Sequence, residues 1–163
     1  MTKTTIRIKI NGAPRTVDVE PNDVLIDVLR EKLGIKSPKI GCDRGDCGTC
    51  TVLLDGQTVR SCLVLAVEAD GGEIVTLEGL GAQGPTPLQQ VFVAHSSFQC
   101  GFCAPGVTLA ATELLRKHPH PTRDEIKEAI AGNLCRCTGY LPIIEAIEAV
   151  AKPPRKKATR TRK

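Results

Sequence analysis

The chain has 163 residues, enough for one large or two small domains, and 41% of them are hydrophobic, but aromatics make up only 2% and there is no tryptophan. No apolar run approaches the roughly 20 residues of a membrane-spanning helix, so no transmembrane segment is expected. The formal net charge of +4 belongs to one end: residues 152–163 hold seven Lys/Arg and no acid, which leaves 15 basic and 18 acidic residues elsewhere, a body near −3.

In chain order, Ile6, Ile8 and Ile10 alternate with Arg7 and Lys9, the period of a half-buried strand. Asn11-Gly12 is a turn signal, and Val17 and Val19 alternate again, so residues 4–20 are expected to form a hairpin. Met1 to Ile10 carries alternating charge and no apolar h-region, so no secretory signal is expected there. Pro21-Asn22-Asp23 opens a helix that Asn22 or Asp23 can cap, with Val24, Leu25, Val28 and Leu29 on one stripe and Gly34 at its end. Thr51–Leu54 is expected as a strand, Asp55-Gly56 as a turn, Thr58–Leu63 as the returning strand, and Ile74–Leu77 as one more.

Between helix and strand lies Gly41-Cys42-Asp43-Arg44-Gly45-Asp46-Cys47-Gly48-Thr49-Cys50, with Cys62 following after eleven intervening residues. C-x4-C-x2-C plus a distant cysteine is the plant-type pattern for a [2Fe–2S] cluster. The interleaved glycines let the backbone wrap closely around such a group. Zinc prefers paired knuckles in two halves, which this spacing fits less well. Eight cysteines could pair as disulfides, but without a secretory signal clustered cysteines favour metal or catalysis. Asp43, Arg44 and Asp46 are candidates for tuning or docking, or else solvate the loop.

Glu78 to Pro87 reads EGLGAQGPTP, a linker by its glycines and prolines. Thr86-Pro87-Leu88-Gln89 is then a capping box with Pro at the first helical position, followed by Leu88, Val91, Phe92 and His95 at helical spacing. His95 is expected to pack on that helix. Pro105 opens a second helix and Thr122-Arg123-Asp124-Glu125 caps a third. Pro142 begins a fourth, with Ile143, Ile147 and Val150 inward. His118-Pro119-His120-Pro121 reads as an interhelical loop. Cys100 and Cys103 form C-x2-C before the second helix, and Cys135 and Cys137 form C-x-C after the third. Alone this second set could serve zinc as well; in tandem with the plant-type loop it is far more specific. The expected division is 1–77, 78–87 as linker, 88–151, and a basic, disordered tail at 152–163. That tail lacks the stacking aromatics of single-strand nucleic-acid binders, and no nucleic-acid partner is expected.

These segments resemble the iron–sulfur small subunit of the molybdenum hydroxylases, the xanthine oxidase family, which includes carbon monoxide dehydrogenase and 4-hydroxybenzoyl-CoA reductase. The resemblance is carried by Gly41 through Gly56, by Gln99-Cys100-Gly101-Phe102-Cys103-Ala104-Pro105-Gly106, and by Gly132-Asn133-Leu134-Cys135-Arg136-Cys137-Thr138-Gly139-Tyr140. It covers roughly residues 4–151. Ala104 departs from the usual Ser or Thr, with no consequence for ligation. The resemblance implies an α+β chain: a plant-ferredoxin-like β-grasp domain followed by an all-α four-helix bundle. It implies two [2Fe–2S] clusters, one on Cys42, Cys47, Cys50 and Cys62, the other on Cys100, Cys103, Cys135 and Cys137. Gln99 and Cys137 would contact the molybdopterin of a large subunit, and the first cluster would face the FAD of a medium subunit. The implied assembly is a cytoplasmic dimer of heterotrimers in which this chain relays electrons without performing catalysis. The chain itself carries no Rossmann or P-loop fingerprint. The alternative is a free two-cluster ferredoxin-like carrier, for which the helical half would be superfluous.

Overall fold

The computed structural model describes residues 3–151; the tail expected to be disordered lies outside them. The first half is a five-stranded sheet with a short helical segment across it. β1 (Thr4–Ile10) and β2 (Ala13–Val19) pair antiparallel as the expected hairpin, Ile6 opposite Val17 and Ile10 opposite Ala13. β3 (Thr51–Leu54) and β4 (Gln57–Arg60) form a second hairpin, and β5 (Glu73–Val75) sits between the two in the order β2-β1-β5-β3-β4. β5 runs parallel to β1 and antiparallel to β3. Ile6, Ile8 and Ile10 all face inward and pack with Val19, Leu25, Val28, Leu29, Val52 and Ile74. The period-2 pattern thus puts one face of β1 on the core while Arg7 and Lys9 stay exposed.

Three expectations in this half are corrected. The helix is a single α-turn, α1 (Leu25–Asp27), running directly into a π-helical turn over Val28–Lys32. Neither Asn22 nor Asp23 caps it. Val24 holds the cap position with no side-chain bond, because the Asp23 carboxylate accepts instead from the Glu20 N–H at 2.9 Å and from Lys32 Nζ at 2.6 Å. That pairing holds the Asp23 pKa below the usual carboxylate range. β4 stops at Arg60 rather than Leu63, since Ser61 turns its hydroxyl onto the Cys50 carbonyl (2.6 Å) and carries Cys62 towards Cys50. The last strand ends at Val75. Thr76 becomes the N-cap position of α2 (Leu77–Leu80), which occupies the start of the stretch expected as linker.

The second half is helical: α3 (Pro87–Ala94), α4 (Ala104–Lys117), α5 (Arg123–Ile130) and α6 (Leu141–Ala151). Both expected capping boxes are present. The Thr86 hydroxyl accepts from Gln89 N–H while Gln89 Oε1 accepts from Thr86 N–H, and Thr122 and Glu125 repeat the exchange. Each such cap stabilises its helix by about 1 kcal/mol. Leu88, Phe92, Val107, Ala111, Ile126, Ile130, Ile143 and Ile147 form the second core, to which Phe98 adds an edge-to-face contact with Phe92. His95 does not pack on its helix: it is the exposed C-cap residue of α3. The His118–His120 stretch is a loop, as expected, and His120 Nδ1 lies 2.7 Å from the Ala151 carbonyl at the end of α6.

Candidate metal centres

The long loop between α1 and β3 is pinned at its base. Lys39 N–H donates to the Thr49 carbonyl at 2.9 Å, and the Thr49 hydroxyl returns a bond to the Lys39 carbonyl at 2.9 Å. The loop so closed turns its polar hydrogens onto sulfur. Cys47 N–H points at Cys42 Sγ (3.3 Å), and the Thr49 hydroxyl lies 3.2 Å from Cys47 Sγ. N–H groups from Arg44 and Cys47 lower the Cys42 pKa to about 7. Deeper in, Cys50 and Cys62 are buried with their sulfurs 3.4 Å apart. Burial and the Cys50 sulfur push the Cys62 thiol up to about 11.

The second set is built the same way at the mouth of the bundle. Cys103 is the N-cap residue of α4 and buried; Cys100 stands exposed before it. Cys100 and Cys137 bring their sulfurs to 3.6 Å, and Cys135 acts on the Cys103 thiol. The Phe102 N–H holds the Cys100 thiol below its usual value, whereas contact with Cys100 raises Cys137. Burial pushes Cys103 up to about 12. Burial also raises Cys135, but the Thr138 hydroxyl (3.1 Å) and the N–H groups of Cys137 and Thr138 outweigh it and leave its pKa lowered. Tyr140 adopts φ +68°, a costly conformation for an aromatic residue. Its hydroxyl accepts from Cys135 N–H at 2.9 Å and donates to the Asn133 carbonyl.

All eight cysteines are unpaired by disulfide, and one close sulfur pair stands in each set. Two thiolates on one tetrahedral metal stand about 3.8 Å apart, at metal–sulfur bonds of about 2.3 Å; a disulfide would need about 2.05 Å. The 3.4 and 3.6 Å separations suit the former. Among the described residues no three of His, Cys, Asp or Glu gather about a single point. Pairing in twos accounts for that, because a two-iron core takes two thiolates at each iron. The donor set fits two [2Fe–2S] clusters in chemistry and in number. In the second set Cys100 and Cys135 are lowered while Cys103 and Cys137 are raised, and in the first Cys62 is raised, so loading iron must displace protons from the buried Cys62 and Cys103.

Two expectations from the sequence meet here. Gln99 lies at the exposed end of the second set, its Nε2 donating to the Cys137 carbonyl at 3.2 Å. Asp43, Arg44 and Asp46 ring the first set on the exposed side, where Arg44 Nε and Asp46 Oδ2 pair at 2.7 Å.

What the sequence did not reveal is how the two loops lock together. Leu134 N–H, next to Cys135, donates to the carbonyl of Cys47 at 2.8 Å. The buried Asn133 amide donates to the Gly48 carbonyl (2.9 Å) and reaches the Thr51 hydroxyl (3.1 Å). Arg60 spans the same seam, to Thr51 Oγ1 and to the Gly132 carbonyl, both at 2.7 Å. Gly48 sits at φ +71° with the Gly132 oxygen where a Cβ would go, 2.2 Å away. A buried Asn beside a cysteine motif was the only signal, and its partners are more than eighty positions distant.

Comparison with known proteins agrees with this geometry. Residues 8–77 match the family model described as a 2Fe-2S iron-sulfur cluster binding domain, and residues 76–148 match the [2Fe-2S] binding domain. The chain belongs to the iron–sulfur subunits of the molybdenum hydroxylases. It is 49% identical over 142 residues to the nicotine 6-hydroxylase small subunit of Paenarthrobacter nicotinovorans, covering 87% of this chain and 86% of that one. Over 148 residues it is 49% identical to the nicotinate dehydrogenase small FeS subunit of Eubacterium barkeri, covering 90% and 94%. In three dimensions it matches a chain of quinoline 2-oxidoreductase from Pseudomonas putida 86 with a TM-score of 0.87 at 50% identity, covering 91% and 93%. The fold class expected from the resemblance, a ferredoxin-like sheet domain followed by a helical one, is the one observed. Among the described residues no helix is long and apolar enough to cross a membrane.

Proposed function

We propose that this chain is the electron relay of a molybdopterin-dependent hydroxylase or dehydrogenase, with Cys42, Cys47, Cys50 and Cys62 holding one [2Fe–2S] cluster and Cys100, Cys103, Cys135 and Cys137 the other. The domains divide at 1–77 and 88–151 about the 78–87 connection, with 152–163 as a basic extension. Each cluster, when bound, takes up and releases single electrons; the protein's part is to hold the two at fixed separation and to present one at the surface. The observation that carries this reading is the exposed Cys100–Cys137 pair with Gln99 hydrogen-bonded beside it. A carrier that only stored charge would have no need to leave two thiols and an amide open on one face.

That face receives the large, molybdopterin-binding subunit. Gln99 both donates and accepts, which suits a pterin edge carrying both kinds of group, and Cys137 offers its sulfur as an acceptor to the same ligand. The exposed loop around Arg44 and Asp46 faces a medium FAD subunit, and the complex is a cytoplasmic dimer of heterotrimers. Support for a large-subunit partner comes from the relatives, which are named as small subunits of hydroxylases and dehydrogenases.

The test is Gln99→Ala in the assembled enzyme, followed by rapid mixing with substrate. Molybdenum reduction should persist, while reduction of the helical-domain cluster slows at least tenfold or pterin is lost from the complex. Normal cluster reduction with full cofactor content refutes the role of Gln99. Purification of the chain without larger partners favours the free carrier instead.

A further inference from the structure

Lys39 is a cation of the first thiol-bearing loop that packs against the second. It belongs to the first loop, three residues before Cys42, yet its Nζ lies over the ring of Phe102, 5.5 Å from the centroid. Phe102 sits between Cys100 and Cys103, and its ring edge comes within 3.6 Å of where a Cβ on Gly41 would be. The aromatic ring is therefore the joint between the loops, and the ammonium rests on it. Lysines are rarely buried without a charged partner. Lys39 is partly buried, and among the described residues no carboxylate lies within ion-pair distance of it. Among the described residues the ammonium's one hydrogen bond is to the Ser37 carbonyl, at 3.3 Å.

The charges that act on it are few. Burial and Arg30 hold its pKa below that of a free lysine; Glu78 and the thiols of Cys103 and Cys100 act the other way. Arg30 is occupied by the Lys36 and Pro38 carbonyls. Glu78 is occupied by Ser37, Thr76 and the Lys36 N–H. The ring on which the ammonium rests lies between Cys100 and Cys103 in the chain, which sets the charge beside the helical set.

We propose that Lys39, a residue of the first domain, is the charge that makes the cluster held by the second domain easier to reduce. This rests on the reading that Cys100, Cys103, Cys135 and Cys137 hold a [2Fe–2S] cluster. One-electron reduction adds a negative charge to that centre, and a nearby fixed cation favours the reduced form. A fixed unit charge beside such a centre, at an effective dielectric of about 20, shifts the equilibrium by roughly an order of magnitude.

The test is a mediated redox titration of the cluster-loaded full-length protein, with each cluster followed by its own paramagnetic signal and iron measured on the same samples. Lys39→Met and Lys39→Gln should lower the helical-domain midpoint by a factor of about ten in the reduction equilibrium, about 59 mV for one electron. The first cluster should move less, and Lys39→Arg should keep both midpoints. The loop anchor survives, because both Lys39–Thr49 bonds use Lys39 main-chain atoms. Full iron with an unmoved helical-domain midpoint in both neutral variants sinks the proposal alone, as does a larger shift in the first cluster. Loss of helical-domain iron in Lys39→Arg makes the residue merely structural and also overturns it. Only two irons in the unaltered protein would sink the underlying reading as well.

Discussion

Gly106→Ala tests the seam between the two halves, because two effects of opposite sign meet at one atom. Gly106 lies in the first turn of α4, and replacing a helical glycine by alanine ordinarily stabilises by about 1 kcal/mol. Here the new Cβ would stand 2.4 Å from the Gly48 carbonyl oxygen and 2.7 Å from Asn133 Nδ2. Neither neighbour yields easily: one is main chain, and the other is a buried amide held by the bond that crosses the seam. Overpacking of this kind costs about 1–3 kcal/mol, and breaking the Asn133–Gly48 bond costs about 1 kcal/mol more. The clash wins by about 2 kcal/mol. With a urea slope of about 2 kcal/mol/M, the unfolding midpoint of the cluster-loaded protein, followed by far-ultraviolet circular dichroism, should fall by about 1 M. A midpoint equal to that of the unaltered protein, or above it, would show that helix propensity governs the site and that the seam is not tightly packed.

Two further outcomes are expected. The intact chain should carry about four irons, two per cluster. Cys47→Ser should abolish the first cluster's signal and spare the second, with Cys103→Ser doing the reverse; loss of both signals from either soluble variant would contradict the division into two sites. In iron-free protein, alkylation should strike Cys42 first. Its lowered pKa of about 7 makes it a thiolate above neutrality, with the rate falling about tenfold per pH unit below, while Cys62 and Cys103, at about 11 and 12, stay protonated and slow. Equal labelling of all eight would mean that the loops are not preformed without iron.

The elements that could be read from the sequence are those whose cause is local. The alternation of Ile6, Ile8 and Ile10 and the two capping boxes each act within a few residues, and each is found as expected. The misses come from partners that compete for the same groups. Asp23 looks like a cap, but Lys32 and the Glu20 N–H claim its carboxylate first. Leu77 looks like strand, but the Asn11 side chain accepts from Thr76 N–H and donates to its hydroxyl across 65 positions, and the chain turns into α2 there. The site divides the same way. Every proposed ligand lies in a motif, whereas Arg60, the role of Asn133 and the contact of Lys39 with Phe102 arise only once the two loops are brought face to face.

The contacts also give the two thiol sets a direction. Cys100 and Cys137 are exposed beside Gln99. In the same set Cys103 is buried and Cys135 half-buried. From Cys135 the chain needs one residue, Leu134, to reach a hydrogen bond on the carbonyl of Cys47, itself a member of the first set. Cys47 pairs with Cys42 on the side bearing Arg44 and Asp46, while Cys50 and Cys62 close the set against Ile26 in the sheet domain. The shortest bonded route between the sets therefore runs through main chain, which no side-chain rotamer can open. Asn133, Arg60 and the tight approach of Gly48 to Gly132 fix that main chain on both sides. A relay needs its two centres at constant separation while its outer faces bind different partners. A seam closed by backbone and a buried amide, with Cys100 and Cys137 exposed at its helical end, meets the first of these requirements.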